Sequence, residues 1–196
     1  MTTAPTPAAH SHGDAHGDHA SHDMSGMAAS ATLHCLTGCA IGEISGLVIG
    51  TALGWHMVAT TALAIGLAFL FGYSLSALPL VRAGIGLGAA ISLVLAADTL
   101  SILTMEVVDN AVMWLIPGAM GAFLDDWLFW VSMGLAFLIA FAAAYPVNRH
   151  LLKRGKGHAV THHALGEDHQ MDNRPLTLGL VAFLAGGLVA SVGGLF

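Results

Sequence analysis

AADTLSILTMEVVDN, residues Ala96–Asn110, decides the fold. It lies inside an apolar run from Gly84 to Ile116 and carries three acids, Asp98, Glu106 and Asp109. On a helix turning about 100° per residue, Asp98, Ser101, Met105 and Asp109 share one narrow face, with Glu106 to one side. A span of about 20 residues crosses a bilayer core, and this run exceeds that. An ionised acid near the bilayer centre costs roughly 2.5–3.5 kcal/mol even on a lenient scale. Such acids persist when they face a protein interior, take up a proton or hold a cation. Glu43 is a fourth acid of this kind, in the run from Leu33 to Leu53, and neither run contains Lys or Arg. The expectation is an all-α integral membrane protein with a cation or proton site inside a compact bundle.

Composition agrees. The chain is 56% hydrophobic and 9% charged, against about 25% charged in a soluble domain; its mean hydropathy is +0.75. Six Lys plus Arg in the whole chain leave no nucleic-acid surface. Five runs qualify as spans: Leu33–Leu53, Met57–Leu80, Gly84–Ile116, Trp127–Tyr145 and Leu176–Phe196. The third reads as one long helix, stopped by Pro117-Gly118, and Pro175 opens the fifth. The chain thus divides into a His/Met-rich tail (1–30), expected to be disordered, a four-helix transmembrane domain (31–157), a His-rich polar linker (158–174) and a fifth transmembrane helix (175–196). No charged n-region or apolar h-region of a secretory signal is read in the tail.

Arg149, Lys153, Arg154 and Lys156 follow the fourth span, and Arg82 separates the second from the third. The positive-inside rule puts both loops in the cytoplasm of a bacterial inner membrane, and with them the N-terminus. Asp125 and Asp126 read as helix caps. Trp114, Trp127 and Trp130 read as interfacial anchors, and His56 as a surface residue.

Gly38, Gly42, Gly46, Gly50 and Gly54 recur every four residues and form a smooth stripe for close helix packing, within the chain or between copies. Gly186, Gly187, Gly193 and Gly194 repeat the theme in the last span. Beside the first stripe runs a second row, Cys35, Cys39 and Glu43, with His34 next to it. Thiolate and imidazole suit Cu(I) and Zn(II). The candidate metal-binding residues are therefore His34, Cys35, Cys39, Glu43, Asp98, Met105, Glu106 and Asp109. The tail adds His10, His12, His16, His19, His22, Met24 and Met27, a flexible tract suited to copper in either oxidation state. A second His cluster, His158, His162, His163 and His169, lies in the linker.

CLTGCAIGEISGLVIG (Cys35–Gly50), AADTLSILTMEVVDN, LIPGAM (Leu115–Met120) and YPVNRHLLKRGKGHA (Tyr145–Ala159) together resemble an uncharacterised prokaryotic membrane family, domain of unknown function 4396. The likeness covers roughly Leu33 to His163 and leaves out the His tail and the last span. It implies a compact multi-span domain with the acidic motifs at its core, and it implies no activity.

The residues themselves lead to an expectation of transition-metal binding and transport or trafficking, with copper as the cofactor or cargo ahead of zinc or nickel. The partners expected are the lipid bilayer, the metal ion, and either further copies or another membrane subunit. A proton-coupled carrier of another small solute, or a non-transporting assembly or sensor subunit, are the alternatives. An enzyme is not expected: no nucleophile–base pair, phosphate loop or haem-attachment motif is read.

Overall fold

The computed structural model describes residues 15–154 and 174–193, with side chains from residue 24 onward. The tail residues His10 and His12, the side chains of His16, His19 and His22, and the linker cluster at 158–169 lie outside these described residues. The elements are α1 (Ala15–Ala52), α2 (Met57–Arg82), α3 (Leu87–Leu115), a short 3-10 helix (Ala119–Gly121), α4 (Trp127–Lys153) and α5 (Arg174–Val192). Five helices are long and apolar enough to cross a membrane. The third segment is a single helix of 29 residues, about 43 Å long at 1.5 Å per residue.

Local chemistry places the turns. Asp126 caps α4 by accepting from the Leu128 amide at 2.9 Å, as a capping acid should. His56 caps α2, its Nδ1 accepting from the Ala59 amide, and it is exposed. Gly118 follows the end of α3 with φ +87°, a backbone region open mainly to glycine. Consecutive helices alternate in direction. Arg82, Arg149, Lys153 and Arg154 therefore gather at one end of the bundle, and Trp55 marks the other. Leucines, valines and isoleucines such as Leu100, Val107 and Leu138 face outward, as lipid-facing positions do.

The centre of the bundle is α1, which packs on α2, α3, α4 and α5. It starts earlier than the span expected from Leu33. Residues 15–30, expected to belong to the tail, continue the helix, and Ala28 is fully buried. Small, weakly hydrophobic residues there hide a packed helix behind a polar composition.

The glycine stripe is an α1–α2 contact within the chain. A methyl group added to Gly38, Gly42 or Gly46 would overlap the backbone of Gly72, Ala68 or Ala64 respectively, and one on Gly50 would overlap the Thr60 side chain. Each four-residue step along α1 descends four residues along α2, so the two backbones touch at three successive steps, Gly38, Gly42 and Gly46. Gly54 corrects the expectation that it completes the stripe. It lies past the end of α1 with φ +64° and open space around its Cα, so it makes the turn.

Trp130 is a second correction. Trp114 and Trp127 are exposed, but Trp130 is buried. Its Nε1 donates to the Leu124 carbonyl at 2.7 Å, and its ring meets Phe183 edge-on and leaves no room for a side chain at Gly187. Satisfying the indole N–H inside the protein makes a lipid–water interface unnecessary. This contact seats α5, which runs alongside α1 and has no fully buried residue. Gly186, by contrast, faces open space.

Toward the Arg82 end, Asn148 of α4 ties three helices together. Its Nδ2 donates to Thr32 Oγ1 of α1 at 2.8 Å and to Ser101 Oγ of α3 at 2.9 Å. Thr32 in turn donates to the Ala28 carbonyl. All three side chains are buried. Replacing Asn148 by alanine is expected to lower stability by about 2 kcal/mol, the sum of two buried hydrogen bonds at about 1 kcal/mol each. A thermal melt in detergent measures it, and an unchanged midpoint would show that the bridge holds nothing.

Candidate functional site

Two rows face each other across the bundle interior. On α1 they are Cys35, Cys39 and Glu43; on α3 they are Asp98, Ser101, Glu106 and Asp109. All are buried. The α1 row is a four-residue repeat on one helix face; the α3 row keeps Asp98, Ser101 and Asp109 of the face read from the spacing, with Glu106 in the place expected for Met105. Because α1 and α3 run in the same direction, the rows match rung by rung. Cys35 lies against Ser101 and Asp98. Cys39 lies against Glu106, and Glu43 against Glu106 and Asp109.

The upper rung has an unusual balance of polar groups. Both carboxyl oxygens of Glu43, both of Glu106 and Oδ1 of Asp109 are buried without a hydrogen-bond donor. Residues 83–148 contain no Lys or Arg, so basic side chains from α3 and the body of α4 cannot neutralise them. Three desolvated carboxylates in mutual contact repel, and each costs several kcal/mol to keep charged and buried. The cluster therefore holds only with positive charge among the oxygens, as shared protons or as a cation.

Two of the acids, Glu43 and Asp109, reach the floor of a cavity of about 450 Å³ at the Trp55 end. Glu43 and Asp109 line it, with Asn110 beside them; above stand Met113, Met120 and Met133, and Trp55 is at the rim. Asn110 donates to the Glu106 carbonyl of its own helix at 2.9 Å. At the opposite end the Asn148 bridge fills the interior. The two rows thus lead from a closed end to an open chamber.

The eight expected bundle residues divide into sets. Cys39, Glu43, Glu106 and Asp109 come together below the cavity. Cys35 and Asp98 form the rung below with Ser101. Glu43 therefore stands level with Glu106 and Asp109, one rung away from Asp98. Met105 is buried in the apolar core. His34 is buried too, with Nδ1 3.1 Å from the Ser30 carbonyl of its own helix, and it does not join the Cys39 set. Met24 and Met27 are half-buried at the start of the first span. Among the described residues, no three His, Cys, Asp or Glu side chains stand as a ready-made metal cage, so a bound ion would require the cluster's side chains to reorient.

Sequence reading missed Asn148, Thr32 and the four cavity methionines, Met57, Met113, Met120 and Met133. Asn148 stands next to Arg149 and reads as part of the basic end. The methionines look like apolar filler, and only the tertiary arrangement brings them to one chamber.

No curated protein and no solved structure matches the chain. Residues 26–157, the stretch that contains α1 from its first buried turn through the end of α4, match the family described as a domain of unknown function, DUF4396, and the chain belongs to that family.

Proposed function

We propose that this is a transition-metal-binding membrane protein, with copper as the preferred ion, and that it loads the ion into the Cys39–Glu43–Glu106–Asp109 cluster for transport or hand-over at a bacterial inner membrane. The single observation that carries this reading is the cluster of three buried carboxyls beside a thiol, five of their six oxygens without a donor and two of the three, Glu43 and Asp109, lining an open cavity. Carboxylates supply the charge that a cation needs, and the thiol supplies affinity for a soft metal. By the positive-inside rule the Arg82 end faces the cytoplasm, and the cavity opens on the far side. The His/Met tail would then collect metal on the cytoplasmic side.

Elemental analysis of detergent-purified protein, full-length and lacking residues 1–23, tests the proposal. The cut leaves the first span intact from Met24. The expected result is that the shortened protein still retains about one copper per chain. If all metal leaves with the tail, the bundle holds none and the reading fails.

A second reading has its own support. Carboxyl groups in direct contact can share protons, and the open cavity would admit a small solute. A proton-coupled carrier would use the same acids without retaining metal. Proton uptake by liposome-reconstituted protein, with no bound metal detected, would favour it.

A further inference from the structure

Four of the nine methionines line one cavity: Met57, Met113, Met120 and Met133. They come from four different elements, α2, α3, the 3-10 helix and α4. No helical repeat produces such a grouping. A methionine commonly fills gaps in a core; Met113 and Met133 belong to the apolar core and Met120 packs against it, but unlike Met105 they also border an open space. Met113 and Met133 are buried, Met120 is half-buried, and Met57 is exposed at the mouth. Lining the same cavity are Glu43, both of whose carboxyl oxygens lack a donor, and Asp109, whose Oδ1 does.

We propose that Met113, Met120 and Met133 form a thioether site for a soft monovalent cation, Cu(I) or its analogue Ag(I), which is captured at the Trp55 end and passed to the carboxyls at the cavity floor. Thioethers are neutral, do not titrate near pH 7 and bind Cu(I) in preference to hard or borderline divalent ions. A neutral site at the mouth selects by softness, and the acids below supply the charge. This selectivity step rests on the reading that the cluster below accepts a metal. It adds a second site, a direction of approach and the oxidation state of the ion.

The test is NMR of full-length protein in detergent, with the methionine methyl groups labelled with carbon-13 and each signal assigned by Met→Leu substitution. Met→Leu keeps the volume and is well tolerated in cores. Adding Ag(I) is expected to shift the Met113, Met120 and Met133 methyls, while Zn(II) leaves them in place. In the Met113→Leu/Met133→Leu protein, the midpoint read at Met120 is expected to weaken at least tenfold. Shifts confined to Met24 and Met27, or equal shifts with Zn(II), would overturn the proposal. The cluster reading is checked separately by metal content. Silent cavity methyls in a protein that retains copper, and loses it on Glu43→Gln, would defeat the thioether site alone. Shifting cavity methyls in a protein whose bundle retains no copper would support the thioether site and defeat the cluster.

Discussion

Gly42→Ala is expected to leave little or no folded protein. The added methyl would fall on the backbone of Ala68, which no rotamer change can move aside. Relief requires α1 and α2 to separate along the whole stripe, losing the close contacts that hold helices together in lipid. Overpacking usually costs 1–3 kcal/mol, and a clash with backbone belongs at or above the upper end, about 3 kcal/mol or more. Size-exclusion profile and thermal midpoint in detergent measure the effect. Gly66→Ala is the control, because Gly66 is exposed on the same α2 helix with nothing near its Cα. It is expected to behave as the parent protein. A Gly42→Ala protein with the parent's midpoint would mean that the two backbones do not touch as described.

Glu43→Gln is expected to do the opposite: keep the fold and remove the function. Glutamine has the same shape, and its amide supplies the donors that the oxygens of Glu106 and Asp109 lack. Stability should be unchanged or higher. Metal affinity should fall at least 100-fold, about 2.7 kcal/mol, because one of three charges at the floor is gone. Retention of copper by the Glu43→Gln protein at the parent's level would remove the cluster from consideration. The contrast between the two substitutions separates loss of packing from loss of site chemistry.

The legible and the illegible parts of this protein differ in physical kind. The spans were legible because hydropathy over about 20 residues is a local property. The inward face of α3 was legible because acids cannot face lipid cheaply, so the positions of Asp98, Glu106 and Asp109 constrain its rotation. The glycine row was legible as a contact surface, but its partner was not, since small residues suit any close neighbour. Gly54 misled because a spacing of four continues on paper past the end of the helix. Trp130 misled because an indole is equally satisfied by an interface or by a buried carbonyl. The cavity was not legible at all. Its lining comes from residues far apart in the chain, and their side chains would be unremarkable in any apolar run.

The α1–α2 contact also limits how the molecule can move. Two backbones meshed at Gly38, Gly42 and Gly46 can neither slide nor roll without colliding, so this hairpin behaves as one stiff plank. The two facing rows of thiols and acids lie on opposite sides of the seam between that plank and α3–α4. Any motion that exposes the carboxyls must part that seam. The short Ala83–Gly86 link between α2 and α3 then becomes the axle, and a disulfide engineered across the seam would lock the protein in one posture.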